Sequence, residues 1–237
     1  MIPKRRAWRF IILITLFMSG IPWSYWIFQK VRCYHRLHNS KYLIRSICQE
    51  THGPDHLPTP FFAEILSLSR DHPVHADRLP LAQMEAKLLQ THLFQAVHLN
   101  VLPPNTLHIT YTLREPVAYL TDLSNTAIDA TGTFFPIEPY FTPKNLPLLT
   151  LGLPDDAHLS DKIAHALVLI DQWHPHALDV SHLFAPSLGH REVILSPTPG
   201  HYLRLSLQHP ISPGKITSLP PARITDLRAP GIAFLSR

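Results

Sequence analysis

The sequence contains little of what catalytic and nucleotide-binding motifs require. Only eight of its 237 residues are glycine, and none of them forms the glycine-rich loop that cradles a phosphate group. A G-x-S-x-G nucleophile elbow, an H-E-x-x-H helix and a Cys-x-x-Cys pair are also missing from the sequence. We therefore predict a chain that is not an enzyme, with no catalytic residue, no cofactor and no metal ion.

The main body of the chain has no excess of positive or negative charge. The formal net charge is +4, and the four residues Lys4, Arg5, Arg6 and Arg9 account for all of it. Without them, 17 Lys and Arg remain against 17 Asp and Glu. This balance predicts no nucleic-acid surface, and the missing motifs predict no small-molecule substrate.

Histidine, in contrast, is abundant, with 17 residues. Some pairs, such as His35 with His38 and His174 with His176, have a spacing that metal ligands can have. With so many histidines such pairs are expected by chance, so surface imidazoles without a ligand role are the preferred interpretation. A surface whose charge responds to pH stays open, since histidine changes its charge between about pH 5 and 8.

One long uncharged run is present, over residues 10–28. Its 19 residues would span about 28 Å as an α-helix, close to the ~30 Å hydrocarbon thickness of a bilayer. Trp23, Tyr25 and Trp26 near its far end are typical of a membrane interface. We predict a transmembrane helix here, with residues 1–9 as a cytoplasmic tail. A cleavable signal peptide is the alternative, but no A-x-A-like cleavage site follows.

This helix predicts a single-pass protein of the cytoplasmic (inner) membrane, with its C-terminal domains in the periplasm. Residues 29–40 are polar and cationic, which predicts a linker. Cys33 in this linker and Cys48 beyond it could pair in an exported chain, but cysteine counting does not decide whether they do.

Between residues 41 and 115 the spacing of the apolar residues changes from strand-like to helical and back. The pattern predicts a strand over 41–50, helices that begin at Pro60 and Pro80, and strands over 95–102 and 105–114. This order is typical of a compact α+β unit with its helices on one face of a small sheet.

Pro116 marks the start of a second unit, because proline cannot donate a hydrogen bond within a ladder. A hairpin follows, with arms at 127–129 and 133–135 and Gly132 in its turn. One helix is predicted over 158–173. The other strands are predicted over 180–184, 191–196, 201–207, 223–227 and 232–235. The fold class is therefore α+β, and its second unit is mostly antiparallel β with one helix.

Several stretches of the sequence together resemble a known family. Residues 92–120 and 127–136 contain a strand, a proline turn, an alternating strand that ends in Arg-x-Pro-x-Ala, and a D-x-x-G-x-x-F hairpin. Residues 224–237 (ITDLRAPGIAFLSR) resemble a closing pair of strands around D-L-R. The pattern is similar to the bacterial cell-division family FtsQ, also called DivIB, over nearly the whole chain. The matching positions of the central motif are Arg114, Pro116, Ala118, Asp129, Gly132 and Phe135.

The resemblance implies an N-terminal transmembrane helix, a POTRA-like (polypeptide-transport-associated) βααββ domain over 41–115 and a β domain over 116–237. It implies a non-enzymatic bitopic scaffold of the division machinery at the septum, with partners similar to the division proteins FtsB and FtsL. In the family a partner adds a strand to an edge strand near the C-terminus. The implied partner-binding residues are Gly231, Ile232, Ala233, Phe234, Leu235 and Ser236.

Two other functions stay open at this point. The POTRA-like unit would fit a component of an outer-membrane assembly or secretion apparatus, although such systems usually have tandem units or a long β-barrel. The histidines would fit an anchored envelope enzyme, although no motif supports one.

Overall fold

The computed structural model describes residues 23–37, 39–154, 157–206 and 222–236. Within these ranges the chain forms four helices, at residues 23–37 (α1), Thr59–Ile65 (α2), Leu81–Leu89 (α3) and Leu159–Trp173 (α4). The strands are β1 (Ser46–Thr51), β2 (Phe94–Leu102), β3 (Thr106–Leu113), β4 (Pro116–Leu120), β5 (Thr126–Asp129), β6 (Phe134–Pro136), β7 (Leu148–Thr150), β8 (Ala177–Asp179), β9 (Val193–Ser196), β10 (Tyr202–Leu205), β11 (Ile224–Asp226) and β12 (Phe234–Ser236).

The predicted transmembrane helix is contradicted. Within the described residues, no helix is both long enough and apolar enough to cross a bilayer. The described end of the predicted span, residues 23–28, belongs to α1, which continues through Lys30, Arg32 and Arg36. The described helix α1 therefore carries three cationic side chains and is not the uninterrupted apolar helix that the hydrocarbon core of a bilayer requires.

The predicted location depended on that helix and is corrected with it. A single-pass placement in the inner membrane, with a cytoplasmic N-terminus and periplasmic domains at the septum, has no support from any helix of the described chain. Residues 10–22 of the predicted span and the predicted tail over 1–9 lie outside the described residues. Most of the predicted linker, residues 29–37, is helical.

The described chain divides into two compact units. The first takes the residues up to Glu50 together with Thr59–Glu85 and His98–Thr110. The second takes Thr51–Pro58, Ala86–Val97 and the residues from Tyr111 onwards. Each unit is therefore built from separate segments of the chain.

A three-stranded sheet has the strand order β1-β3-β2. The order of elements along this part of the chain is strand, helix, helix, strand, strand, as predicted. In β3 every second side chain is buried, namely Leu107, Ile109 and Tyr111. The alternation that identified this strand thus reflects one buried and one more exposed face.

A nine-stranded sheet has the order β12-β11-β10-β9-β8-β7-β4-β5-β6. Three neighbouring pairs are parallel, β4 with β7, β7 with β8 and β10 with β11, and the other five are antiparallel. Parallel neighbours need a crossover connection, which α4 provides between β7 and β8. The sheet is therefore mixed, although antiparallel pairs predominate as predicted.

The core of the second unit lies between α4 and this sheet. A row of leucines crosses four neighbouring strands in register, Leu149, Leu178, Leu195 and Leu203, and each is at most 1% exposed. Full burial of one such side chain stabilises a fold by about 1.5–3 kcal/mol. This row stabilises the middle of the sheet. The edge strands lie outside the row, so their positions depend on local contacts.

The buried face of α4 differs slightly from the prediction. We expected Ile163, Leu167 and Ile170, but the buried residues are Lys162, Ala166 and Ile170. The Lys162 ammonium donates a hydrogen bond to the Leu151 carbonyl at 3.1 Å. A paired polar tip allows a lysine stem to occupy a core position that the periodicity alone assigns to an apolar residue.

Two residues of the central motif quoted above, Arg114 and Asp129, form an ion pair beside β4 and β5 of the nine-stranded sheet. The Arg114 guanidinium donates to an Asp129 oxygen at 2.6 Å. The other Asp129 oxygen accepts from the backbone N–H groups of Thr131 and Thr133, both at 2.9 Å. Gly132 takes a φ of 84° in the turn between them, which is the conformation predicted for it.

The sequence prediction misses β7 and misplaces β8. β7 has only three residues, too few for an alternating pattern to be recognised. Residues 180–184, predicted as a strand, form turns directly after β8. Asp179 ends β8 by accepting the Ser181 N–H at 2.8 Å, a turn that aspartate commonly makes.

Candidate protein-binding edge

β12 is the outermost strand at one edge of the nine-stranded sheet. It pairs in antiparallel fashion with β11, and no strand of the described chain lies on its other side. Of the six predicted partner-binding residues, Phe234, Leu235 and Ser236 form the strand. Gly231 and the two residues after it precede the strand, so the predicted edge strand is three residues shorter than expected.

A tight turn leads from β11 into β12. The Ile232 N–H donates to the Ala229 carbonyl at 3.4 Å, and Gly231 takes a φ of 75°. This left-handed conformation favours glycine because a Cβ atom would crowd the backbone. Ala233 then packs against the core of the unit, which positions the first residue of β12.

Backbone hydrogen bonds show which residues of β11 face β10. The Tyr202 N–H donates to the Arg223 carbonyl, and the Leu227 N–H donates to the Arg204 carbonyl, both at 2.9 Å. Backbone groups of successive residues point to opposite sides of a strand. Residues 223, 225 and 227 therefore face β10, and residues 224 and 226 face β12.

The same alternation identifies the outward backbone groups of β12. Ile224 is paired with Ser236, and Asp226 with Phe234, so these four residues use their backbone groups between the two strands. The N–H and C=O groups of Leu235 point the other way, toward the open edge. A donor and an acceptor for an incoming strand are thus present at one residue.

Apolar side chains surround these groups. Phe234 is 61% exposed, Ile232 56% and Leu235 42%. Phe234 lies on the same face of the sheet as Asp226, whereas Leu235 lies on the opposite face with Thr225. An added strand would therefore meet apolar surface on both faces of the sheet.

Four alternating charges lie beside this edge and connect β9, β10 and β11. Arg204 donates to both carboxylate oxygens of Glu192, at 2.6 and 2.9 Å. Arg228 bonds Asp226 at 2.7 Å and the Gly189 carbonyl at 2.7 Å. Further contacts of 3.6 Å from Arg204 to Asp226 and 3.4 Å from Arg228 to Glu192 close the cluster.

The pairing favours the ionised forms of Asp226, Arg204 and Arg228. Hydrogen bonds from Arg228 hold the pKa of Asp226 below its usual range, although burial opposes the shift. Bonding to Glu192 raises the pKa of Arg204, and bonding to Asp226 raises the pKa of Arg228. Groups shifted in these directions do not exchange protons near neutral pH, as a general acid or base must. The cluster therefore holds three strands in register and does not supply proton-transfer chemistry.

Two other sheet edges, β6 and β2, differ from β12. β6 ends at Pro136, which has no N–H to offer. In β2, the Leu99 N–H donates to the Glu85 carboxylate at 2.7 Å, and the Val101 N–H donates to the Asn100 side chain at 2.8 Å. Proline and occupied N–H groups are common ways to block strand addition.

Only half of this charged cluster could be recognised in the sequence. Asp226 and Arg228 belong to the quoted D-L-R stretch, whereas Glu192 and Arg204 were not predicted. Their pairing depends on β9 and β10 being neighbours, and opposite charges on adjacent strand segments become a useful signal only once that pairing is known.

Comparison with known proteins finds no family model that matches the chain and no curated protein that matches its sequence.

Proposed function

We propose that the chain is a non-enzymatic scaffold of the bacterial division machinery, and that it binds a partner division protein by strand addition at β12. The observation that carries this proposal is the position of β12 at the sheet edge, with the Leu235 N–H and C=O directed away from β11. A partner strand that forms a ladder with these groups would extend the nine-stranded sheet.

The size of the strand limits how much the backbone can contribute. A hydrogen bond has a net value of about 0.5–1.5 kcal/mol, and micromolar affinity requires about 8 kcal/mol. One donor and one acceptor at Leu235 fall well short of that. The exposed side chains of Phe234 and Ile232 therefore have to supply apolar contact as well, at roughly 25 cal/mol per Å² buried.

This argument defines the partner segment. It should be an extended strand with apolar residues on both faces, so that one meets Phe234 and the next meets Leu235. A polar or glycine-rich strand would form the same ladder without the apolar contact and would bind too weakly. The division role itself rests on the resemblance of residues 92–136 and 224–237, and the proposed partners are proteins similar to FtsB and FtsL.

The test compares two substitutions at one residue, Leu235→Pro and Leu235→Ala. Proline removes the outward N–H but leaves the groups that pair with β11, whereas alanine keeps the N–H and removes apolar surface. Affinity-tagged full-length protein is purified from the bacterium that encodes it, and bound division proteins are identified by mass spectrometry. We expect division proteins to co-purify with the unsubstituted chain. Their amount should be reduced with Leu235→Ala, and they should be absent with Leu235→Pro.

Two outcomes would contradict the proposal separately. If Leu235→Pro keeps its partners while its thermal unfolding is unchanged, the partner binds elsewhere. If the unsubstituted chain retains no division protein, the division role is wrong, whatever β12 does.

A further inference from the structure

A cleft of about 810 Å³ lies at the C-terminal end of α4, beside the turns that lead into β7 and β8 and out of β9. Four prolines contribute to its wall, Pro147, Pro175, Pro197 and Pro199. Proline has no N–H group, so these wall residues contribute apolar ring surface and no backbone donors, and the Pro147 carbonyl already accepts the Tyr119 N–H at 2.9 Å.

The end of α4 adds backbone acceptors without their usual donors. In a continuing helix, residue 175 would donate its N–H to the Asp171 carbonyl, but residue 175 is proline. The next N–H, that of His176, donates to the Ser196 carbonyl at 2.8 Å instead of turning back to the helix. Asp171 lines the cleft, so its carbonyl, which lacks the usual helical donor, and the negative end of the helix dipole lie at this side of it.

Asp171 places a full negative charge at the same end. It lines the cleft and is exposed, and the last turn of α4 contains no basic residue. A carboxylate at a helix C-terminus is destabilising, and a lysine or arginine would be favourable there. Such a local conflict is expected where a residue serves binding rather than stability.

The one formal charge among the described lining residues, that of Asp171, favours a cation. His174 and His176 also line the cleft, and both are exposed. The surrounding surface comes from apolar side chains such as Val117 and Leu167.

We propose that this cleft binds an arginine side chain of a partner polypeptide. A guanidinium group has five donors in a flat fork and no acceptor, which complements the Asp171 carboxylate and the carbonyl of the same residue. Its flat faces and methylene stem pack against proline rings and apolar side chains. Lysine offers the same charge as a compact, strongly hydrated point and lacks the flat surface. This surface is separate from β12, and the inference does not depend on the division role.

The test measures binding of three peptides to the full-length chain at pH 8 and low salt by isothermal titration calorimetry. The probes are acetyl-Ala-Ala-Arg-Ala-Ala-amide, the same peptide with lysine, and the same peptide with citrulline, which keeps the shape of arginine without its charge. We expect the arginine peptide to bind most tightly, the lysine peptide to bind about tenfold more weakly, and the citrulline peptide not to bind.

Two variants connect the binding to Asp171. Asp171→Asn should lower the affinity for the arginine peptide by about tenfold or more, because a charge-assisted hydrogen bond is lost. Asp161→Asn, which changes an aspartate at the other end of α4, is the matched control and should leave its affinity unchanged. Asp171→Lys should abolish binding and raise the thermal midpoint, since a cation suits the helix C-terminus.

The combination of lost binding and a higher thermal midpoint in Asp171→Lys excludes misfolding as the explanation. Equal affinity for the arginine and citrulline peptides would overturn the proposal, and so would unchanged affinity in Asp171→Asn. Equal affinity for arginine and lysine would also overturn it, because the cleft would then bind any cation.

Discussion

Asp129 is buried, yet it stays charged because every side of its carboxylate is bonded. Its side chain is 8% exposed and that of Arg114 is 17% exposed. Burial alone would raise the pKa of Asp129, but hydrogen bonds from Thr131, Thr133 and Arg114 outweigh it and hold the pKa below its usual value of 3.8. At the scale of single residues, this group should therefore contribute strongly to stability.

We predict that Asp129→Asn lowers the free energy of unfolding by about 3 kcal/mol, because it leaves a largely buried ion-pair site with the partly buried Arg114 guanidinium lacking its counter-charge. Denaturant unfolding of the full-length chain measures the change. The matched control is Glu115→Gln, which changes an exposed carboxylate one residue from Arg114 and should cost no more than about 0.5 kcal/mol. Equal effects of the two variants would contradict a special role for Asp129.

The same residue predicts a pH dependence. A carboxyl whose pKa is lower in the folded state contributes its full stability above the unfolded value of 3.8 and loses it as the pH falls through the folded value. The unsubstituted chain should therefore lose this stability as the pH falls below about 4, through the folded pKa of Asp129. In Asp129→Asn this loss should be smaller, and an unchanged slope would show that other carboxyl groups cause it.

At the scale of elements, the sequence predicted those whose pattern is long enough to read. β3 and α4 appear close to their predicted bounds because eight and fifteen residues give several repeats of the pattern. β7 and β8, with three residues each, give less than two repeats, so their positions depend on neighbours that are distant in sequence. The predicted membrane helix over 10–28 is contradicted because no helix of the described residues is long and apolar enough to cross a bilayer, and residues 10–22 of that span lie outside them.

The candidate site was also only partly predictable from the sequence. The place of β12 near the chain end came from a resemblance, and its shortness follows from the turn at Gly231 and Ile232. The orientation of Leu235 could not be predicted, because it depends on which residues of β11 bond β10. The cleft at the end of α4 combines segments more than 50 residues apart, and no local pattern marks such a site.

The connection after β7 carries a prediction about an element. Gly152 has a φ of 73°, and a Cβ atom there would lie 2.7 Å from the Ser181 Cβ atom. Gly200 has a similar φ of 85°, but a Cβ atom there would meet nothing within 4 Å. Gly200→Ala should therefore cost only the backbone term of about 1–2 kcal/mol, whereas Gly152→Ala should cost clearly more.

Thermal and denaturant unfolding of the two glycine variants measure this difference. The comparison isolates the contact between the ends of β7 and β8, because the backbone term is common to both variants. If Gly152→Ala is no worse than Gly200→Ala, the approach of these two connections is not tight in solution.

At the scale of the whole second unit, the edge at β12 and the cleft at α4 are separated by intervening strands. β9, the strand bordering the cleft that is nearest to this edge, is three strands away from β12, or about 14 Å at 4.7–4.9 Å per strand. Sites that are more than roughly 10 Å apart and share no partner usually behave additively. The row of buried leucines between them is close-packed and offers no second arrangement through which one site could bias the other.

We therefore predict that the two sites bind independently. Leu235→Pro should leave the affinity for the arginine peptide unchanged within about twofold, and Asp171→Asn should leave retention of the β12 partner unchanged. The double variant should lose both, and its stability change should equal the sum of the single changes within about 0.5 kcal/mol. Calorimetric titration of the peptide and quantitative co-purification of the partner measure the two arms. A loss of peptide binding in Leu235→Pro would contradict this prediction. It would mean that binding at β12 and binding at the end of α4 are energetically coupled through the sheet.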